Sequence, residues 1–232
     1  MVNEERIRKA FAELVAYDSE SFREKQIGEE VAKRLRELGL EVTTDEGTDK
    51  AFLESHPSSF PNIYAVLKGT VPGDPVLFSA HLDTVAPGTS KRAVTDGDGT
   101  IHSAGNTVLG ADDVAGIISI FRKFDINTRK AGGIAFCRQN ENIRAYSVDK
   151  GSPAVRRFER ACRAERLESR LIRTLGGSDA NRLNEAGIPA IVIACGMENV
   201  HSTEEYTTIS DLRKSAELTI KLMTIKEEKE ND

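Results

Sequence analysis

The residues best suited to chemistry in this chain form a His-x-Asp pair at the end of an apolar stretch. Residues 76–80 are mostly apolar, His81 and Asp83 follow, and residues 86–88 form an Ala-Pro-Gly turn. Because successive side chains of a strand point to opposite faces, we expect His81 and Asp83 on the same side. A carboxylate in that position can orient an imidazole that binds a metal ion. A strand end that carries two polar residues explains the pattern equally well.

A second candidate is the acidic pair Asp112 and Asp113, which precedes an apolar stretch with helical periodicity. An aspartate at the start of a helix is a common N-cap. Capping explains one of the two acids but not both. A carboxylate at this point could also bridge two cations, because aspartate oxygens are zinc ligands.

Composition excludes several classes of protein. The 232 residues carry 37 acidic and 32 basic side chains, a net charge of -5, with no basic patch among aromatic residues. A nucleic-acid partner is therefore not expected. No run of about 18 apolar residues and no apolar core of a signal peptide is present, so we expect a cytoplasmic protein without a membrane partner. Cys137, Cys162 and Cys195 are scattered and odd in number, which indicates reduced thiols.

Hydrophobic periodicity predicts an α/β domain built of helices and neighbouring strands. Helices are predicted at residues 4–16, 22–38, 155–167 and 209–225, and strands at 41–44, 62–68, 76–85, 170–174 and 189–194. Residues 47–61 are predicted to be a surface loop. Residues 91–108 are predicted to be a loop with a small hairpin that turns at residues 96–99.

Four motifs in one order resemble those of the M20 family of zinc metallopeptidases, and in particular its peptidase T-like aminopeptidase branch. They lie at residues 81–85, 110–113, 176–181 and 198–205, and the similarity covers residues 1–125 and 145–225. The resemblance implies an α/β fold with three layers, a mixed sheet flanked by helices, as in a zinc-exopeptidase (phosphorylase/hydrolase-like) catalytic domain. It also implies zinc at up to two sites, and a short peptide or an N-acyl amino acid as substrate.

The resemblance further implies a role for each residue that matches a motif. His81 would ligate one zinc ion, and Asp83 would orient the His81 ring as part of the catalytic machinery. Asp112 would bridge both zinc ions, next to a peptide bond to Asp113 that is cis in the family. His201 would ligate the second zinc ion.

The glycine-rich loop at residues 176–181 would lie beside the substrate in such an enzyme, with Gly177, Ser178 and Asn181 as the substrate-binding residues. Glycines there would allow the backbone to approach a ligand closely. A glycine-rich turn ahead of a helix that begins near Asp179 explains the same residues without a substrate.

The middle of the chain departs from the family pattern. Where the family has two adjacent glutamates, a general base and a zinc ligand, this chain has Asn140 and Glu141. In that register Glu141 remains a ligand, but Asn140 cannot accept a proton because a carboxamide has no useful basicity. Shifting the register by one residue makes Glu141 the catalytic base and places Asn142 at the ligand position. An ordinary polar turn after a buried strand is a third interpretation.

The family's inserted lid domain, and an aspartate ligand that precedes it, are expected to be absent between about residues 143 and 146. We therefore expect one catalytic domain over residues 1–232. A monomer is expected because the family's dimer contacts belong to the lid. The zinc at His201 could reach three protein ligands with Asp112 and Glu141, whereas the zinc at His81 has only Asp112 beside it.

Three functions are compatible with these residues. The first is a metallopeptidase-like hydrolase of peptide or amide bonds that uses zinc-bound water, with activity impaired by the lost base. The second is a lidless, non-catalytic relative that binds a metal or another ligand. The third is an internally deleted remnant of a longer enzyme.

Overall fold

The computed structural model describes residues 2–45, 50–69, 75–125, 132–136, 144–174 and 176–225, with the backbone alone for residues 122–125 and 132–136. Cys137, Asn140, Glu141 and Asn142 lie outside these ranges. The predictions for the catalytic base and for the third ligand at His201 therefore fall on residues that the structure does not describe.

Helices and strands are interspersed along the described chain. The helices are α1 (Glu4–Val15), α2 (Lys25–Glu37), α3 (Lys50–Ser55), α4 (Ala111–Asp125), α5 (Pro153–Ala164), α6 (Asp179–Glu185) and α7 (Ile209–Thr224). The strands are β1 (Glu41–Thr44), β2 (Ile63–Leu67), β3 (Leu77–Phe78), β4 (Ala93–Thr95), β5 (Thr100–Ser103), β6 (Gly132–Phe136), β7 (Met197–Glu198) and β8 (Tyr206–Thr208). Within the described ranges, no helix combines the length and the apolar character needed to span a bilayer.

The strands form two four-stranded sheets. The first sheet has the order β1-β2-β6-β3, with antiparallel pairs except for β3, which runs parallel to β6. It is the mixed sheet that the sequence analysis predicts. The second sheet has the order β4-β5-β8-β7 and is antiparallel throughout. Its β4–β5 hairpin, which turns at residues 96–99, confirms the predicted hairpin.

The main core lies where α4 packs against α1 and α7. Fully buried side chains come from all three helices: Ile7, Phe11 and Leu14 of α1, Ile117 and Ile118 of α4, and Leu212 of α7. Between α4 and α7 the buried hydroxyls of Ser119 and Ser215 lie 2.8 Å apart and share a hydrogen bond. Helix α4, whose first turn carries Asp112 and Asp113, is therefore anchored in the best-packed part of the chain.

Several predicted elements differ from the structure. Helix α2 starts at Lys25 rather than at residue 22, because Phe22 has a left-handed backbone (φ 73°). The predicted loop at residues 47–61 contains the short helix α3, and the strand predicted over residues 76–85 is reduced to Leu77–Phe78.

Two further strand predictions are wrong. The structure assigns no strand at residues 170–174 or 189–194. Ile172 is 78% exposed and Val192 is 56% exposed, so the apolar alternation there is not buried. A strand needs a hydrogen-bonded neighbour, and apolar periodicity alone does not supply one.

The loop after α1 holds the turn that follows the His81 segment. The Glu20 carboxylate accepts the Gly88 N–H at 2.8 Å and the Thr89 hydroxyl at 3.2 Å. The buried Lys91 ammonium donates to the backbone oxygens of Tyr17 at 2.8 Å and Gly88 at 2.9 Å. Polar contacts between two loops, rather than a long strand, thus fix the chain beyond Asp83.

We expect Glu20→Gln to weaken this connection in a pH-dependent way. The Gly88 N–H lowers the pKa of Glu20, so its stabilisation is present above the ordinary carboxyl pKa and is lost as the pH falls through the depressed value. The variant should lose about 1 kcal/mol of unfolding free energy at pH 7, a modest value because the carboxylate is partly hydrated.

Urea unfolding at pH 7 and at about pH 3 tests this expectation, because the gap between variant and native chain should close at the lower pH. Glu168→Gln, at an exposed position, is the matched control and should leave stability unchanged at both values. An equal loss for Glu20→Gln at both pH values would contradict the assignment.

Candidate functional site

Three of the predicted site residues come together around one carboxylate. His81 Nε2 lies 3.0 Å from Asp112 Oδ1, and His201 Nε2 lies 3.0 Å from Asp112 Oδ2. Each oxygen of Asp112 therefore faces a different imidazole. This is the arrangement expected of a carboxylate that is shared between two cations.

Each of the three side chains is carried by a different part of the fold. His81 follows β3, whose parallel neighbour is β6. Asp112 stands in the first turn of α4 with a non-helical backbone (φ −85°, ψ 99°), and its peptide bond to Asp113 is cis. His201 lies in the loop between β7 and β8 with a left-handed backbone (φ 64°). The resemblance implied the cis bond, and the structure contains it.

The His81 ring is held from both sides. Its Nδ1 lies 2.9 Å from the backbone oxygen of Asp83 and 3.5 Å from the Asp83 carboxylate. Since a carbonyl oxygen only accepts hydrogen bonds, Nδ1 carries a proton and Nε2 is the atom that faces Asp112. Burial lowers the pKa of His81, but the hydrogen bonds to Asp112 and Asp83 outweigh burial and raise the pKa well above its ordinary value.

Asp83, predicted to orient the ring, does so chiefly through its backbone oxygen, the nearer acceptor. Its carboxylate accepts the Ser21 hydroxyl at 2.6 Å. Burial raises the pKa of Asp83, yet the hydrogen bonds from His81 and Ser21 dominate and lower it to about 2. The Asp83 side chain therefore stays ionised and supports the imidazole electrostatically.

The two adjacent aspartates have different tasks. Asp113 Oδ1 accepts the Gly116 N–H at 3.1 Å and so satisfies a donor of the first turn of α4. Burial raises the pKa of Asp113 to about 7. Asp112 is partly buried too, but His81 and His201 lower its pKa. One acid thus caps the helix and the other faces the histidines, which resolves why capping alone explains only one of them.

The contacts around Asp112 suit either protons or metal ions. An imidazole nitrogen and a carboxylate oxygen 3.0 Å apart need a positive charge between them. Neighbouring ligand atoms of a tetrahedral zinc with bonds of about 2.0–2.1 Å lie about 3.3 Å apart, so a small shift would accommodate the ion. Each pair supplies two donors, and among the described residues no three His, Cys, Asp or Glu side chains meet as a complete metal site.

The predicted substrate loop is tied to the His81 segment. Ser178 is the residue before α6, and its N–H donates to Asn181 Oδ1 at 2.9 Å. Asn181 is buried and also donates to the backbone oxygen of Arg144 at 2.8 Å. Asp179 accepts a short hydrogen bond from the hydroxyl of Ser79.

The structure confirms one of the two interpretations of this loop. Helix α6 begins at Asp179, as the structural interpretation required. Asn181 uses both of its polar atoms inside the chain, so it shapes the loop, whereas Gly177 is exposed and available to a ligand. Direct contact of Gly177, Ser178 and Asn181 with a substrate stays a prediction.

Sequence reasoning missed two residues that support the site. From the sequence, Asp179 is only the start of a helix and Glu205 is only the last residue of a motif. Glu205 is 1% exposed and contacts the loop that carries Asp112. Its position four residues after His201 indicates that Glu205 lies near the site. The acidic stretch around it does not predict that its side chain is buried.

Sequence comparison matches part of the chain to a bacterial protein. No family model matches the chain. Over 126 residues it is 36% identical to the uncharacterized protein YqjE of Bacillus subtilis (strain 168), a match of 54% of this chain but only 32% of YqjE. The chain thus spans about a third of the length of that relative.

Solved structures agree over nearly the whole chain. Aminopeptidase PepT from Bacillus cereus ATCC 10987 superposes with a TM-score of 0.82 at 20% identity, covering 96% of this chain and 98% of PepT. A tripeptidase from Staphylococcus aureus subsp. aureus Mu50 gives 0.84 at 18% identity with the same coverage. Aminopeptidase APDkam598 from Desulfurococcus kamchatkensis gives 0.68 at 12% identity, covering 95% of both chains. The chain therefore has the α/β fold of these aminopeptidases, which confirms the predicted fold class.

The contact between Ser79 and Asp179 should behave as a charge-dependent bond. Burial raises the pKa of Asp179, and the Ser79 hydroxyl opposes that rise. We expect Ser79→Ala to cost about 1–2 kcal/mol of unfolding free energy at neutral pH, because a partly buried carboxylate loses its donor. The cost should shrink as the pH falls and Asp179 becomes protonated.

A double-mutant cycle supplies the control for this expectation. In an Asp179→Asn background, where no charge is buried, Ser79→Ala should cost less than half as much in urea unfolding at pH 7. An equal cost in both backgrounds would mean that the hydroxyl acts on something other than Asp179.

Proposed function

We propose that the chain is a zinc-dependent hydrolase of peptide bonds whose two metal positions share the Asp112 carboxylate. The observation that carries the proposal is the His81–Asp112–His201 arrangement, with an imidazole nitrogen 3.0 Å from each carboxylate oxygen. The α/β fold that the chain shares with solved structures named aminopeptidase and tripeptidase supports the proposal.

The chain's own residues prepare the site for a cation. The Asp83 backbone oxygen holds a proton of His81 on Nδ1, which leaves Nε2, on the side of Asp112, as the nitrogen that a cation would bind in place of a proton. Asp112 is ionised and its two oxygens point to separate imidazoles. Bound zinc would supply a Lewis acid that polarises a carbonyl and makes water nucleophilic at neutral pH.

Proton transfer is the step for which the chain is least well equipped. Asn140 and Glu141 lie outside the described residues, and both registers remain part of the proposal. With Glu141 as a ligand the base is missing, and with Glu141 as the base a ligand is missing. The loss of a general base lowers hydrolysis on the order of 10²–10⁴-fold. The carboxamide of Asn140 at the position of the base favours a second candidate function, a metal-binding relative without turnover.

Short peptides are the substrate class that we propose, with N-acyl amino acids as the alternative. The solved relatives are named aminopeptidase and tripeptidase, and the exposed Gly177 lies in the loop whose Asp179 accepts the hydroxyl of Ser79, two residues before His81. From the sequence we also propose that the protein is an M20-type enzyme without the family's lid domain. We propose further that it is monomeric and cytoplasmic.

Zinc content and tripeptide hydrolysis test the proposal together. The native chain should bind zinc and release an amino-terminal residue from a tripeptide. Asp112→Ala should remove zinc from both positions, whereas His81→Ala or His201→Ala should weaken one position. Each should lower activity by more than about 100-fold, beyond what loss of an outer-shell contact costs.

The control is His102→Ala, because His102 lies on β5 and pairs with Asp96 at 3.4 Å. It should retain both zinc and activity. Zinc binding without measurable hydrolysis would support the non-catalytic candidate, and the absence of zinc binding would contradict both.

Substitution at residues 140 and 141 separates the two registers. If Glu141 is a ligand, Asn140→Glu restores a base and should raise kcat on the order of 10²-fold or more, with zinc content unchanged. If Glu141 is the base, Asn140→Glu should leave kcat flat and Glu141→Gln should abolish it. The readouts are kcat for a tripeptide and zinc content by mass spectrometry.

A further inference from the structure

We propose that Glu205 is a positioning residue, which holds the Asp112 carboxylate between the two histidines by binding the backbone on either side of Ala111. The inference rests on the proposed function of the site and deepens it, since it concerns how the chain fixes a shared ligand. Nothing in the M20 resemblance assigns a task to Glu205.

The geometry of Glu205 is that of a two-point acceptor. Its Oε2 accepts the Gly110 N–H at 2.7 Å and its Oε1 accepts the Asp112 N–H at 3.0 Å. Both donors are amides near the start of α4, which have no partner inside the helix. Hydrogen bonds to an ionised acceptor are stronger than those between neutral groups. The carboxylate therefore fixes the backbone of the residue whose side chain faces both imidazoles.

The choice of a charged acceptor is costly and needs a reason. Glu205 is 1% exposed, and a carboxylate is expensive to bury unless it is paired or fully hydrogen-bonded. Backbone carbonyls or a neutral side chain would satisfy two amides at a lower desolvation cost. A rigid carboxylate gives a short bidentate contact, and its negative charge lies close to the place where cations are proposed to bind.

Lys91, which also lies next to Gly110, compensates part of this buried charge. The Lys91 side chain is 4% exposed, and a side chain at Gly110 would meet its Cε at 3.0 Å. Burial lowers the pKa of Lys91, while attraction by Asp18, Glu20 and Glu205 opposes that change. Gly110, with φ of 76°, thus lies next to two buried groups of opposite charge.

The position of Glu205 in the chain links two ligands of the site. His201 and Glu205 lie in the same connection between β7 and β8, and the Glu205 N–H donates to the Ser202 oxygen at 3.2 Å, which closes the loop. The segment that carries one imidazole therefore also grips the backbone of Asp112. One short loop therefore fixes the position of His201 and, through Glu205, the position of the Asp112 backbone.

A purely structural role and a positioning role make different predictions. If Glu205 only stabilises the fold, its substitution lowers the unfolding midpoint and leaves the zinc affinity of the folded protein unchanged. If Glu205 positions Asp112, the zinc affinity falls by more than the change in folded population accounts for. Outer-shell groups that orient ligands typically contribute about 10–100-fold to metal affinity.

The test uses Glu205→Gln in the full chain, freed of metal with a chelator. Glutamine keeps the size of the side chain, but its NH₂ group cannot accept the second amide proton. The zinc dissociation constant is measured by competition with a chromophoric chelator, and hydrogen exchange is followed at the Gly110 and Asp112 amides. Glu205→Asp, which keeps the charge but is one methylene shorter, replaces it if Glu205→Gln does not fold.

Two matched controls come from the same segment. Glu204→Gln makes the same chemical change one residue earlier, at an exposed side chain, and should leave zinc affinity unchanged. Thr207→Val removes a buried hydroxyl that donates to the Gly196 oxygen at 2.7 Å. It should lower the unfolding midpoint without changing the zinc dissociation constant.

We expect Glu205→Gln to weaken zinc binding by about 10–100-fold and to speed exchange at both amides. Unchanged zinc affinity would overturn the inference, whatever the exchange rates of the two amides, as would an equal loss of affinity in Thr207→Val. Native protein that binds zinc but cleaves no peptide would overturn the proposed function and leave the Glu205 result standing. Native protein that binds no zinc would overturn both.

Discussion

A single carboxylate held between two imidazoles imposes the main constraint on this structure. Asp112 can face His81 and His201 at once only if three separate parts of the chain meet with small error. The chain achieves this with polar contacts to the backbone rather than with long strands. The Asp83 oxygen sets the His81 ring, and Asp113 closes the first turn of α4. The apolar core supplies the rigid base, because α4 packs against α1 and α7.

The acidic side chains of the site differ in charge: two remain ionised, and burial disfavours the ionised form of the third. Asp83 and Asp112 have lowered pKa values because histidine lies beside them, and they stay negative. Burial raises the pKa of Asp113 to about 7, so this acid contributes less negative charge than its type implies. The environment thereby distinguishes two adjacent aspartates: Asp112 is an anion that faces the two histidines, and Asp113 is a largely structural group.

Much of the fold and part of the site follow from the sequence, and the remainder depends on contacts between distant residues. Helices α1 and α7, the β4–β5 hairpin and the start of α6 were predictable because local periodicity and turn residues determine them. The strands predicted at residues 170–174 and 189–194 failed because a strand depends on a partner. Motif order brought together His81, Asp112 and His201, but it gave no sign that Asn181 would be buried or that Glu205 would face a backbone. The burial of Asn181 and the backbone contacts of Glu205 depend on which distant segments pack against each loop.

The two histidines that face Asp112 come from different sheets, so their separation depends on how the sheets are placed. His81 extends from the mixed sheet, His201 is carried by the antiparallel sheet, and Asp112 touches both from a helix. The separation of the imidazoles thus reports how the two sheets are placed relative to each other. A substitution far from the site that shifts one sheet relative to the other would therefore change the two contacts of Asp112. The contacts of Asp112 therefore depend on the alignment of the two sheets as well as on the loops that carry the histidines.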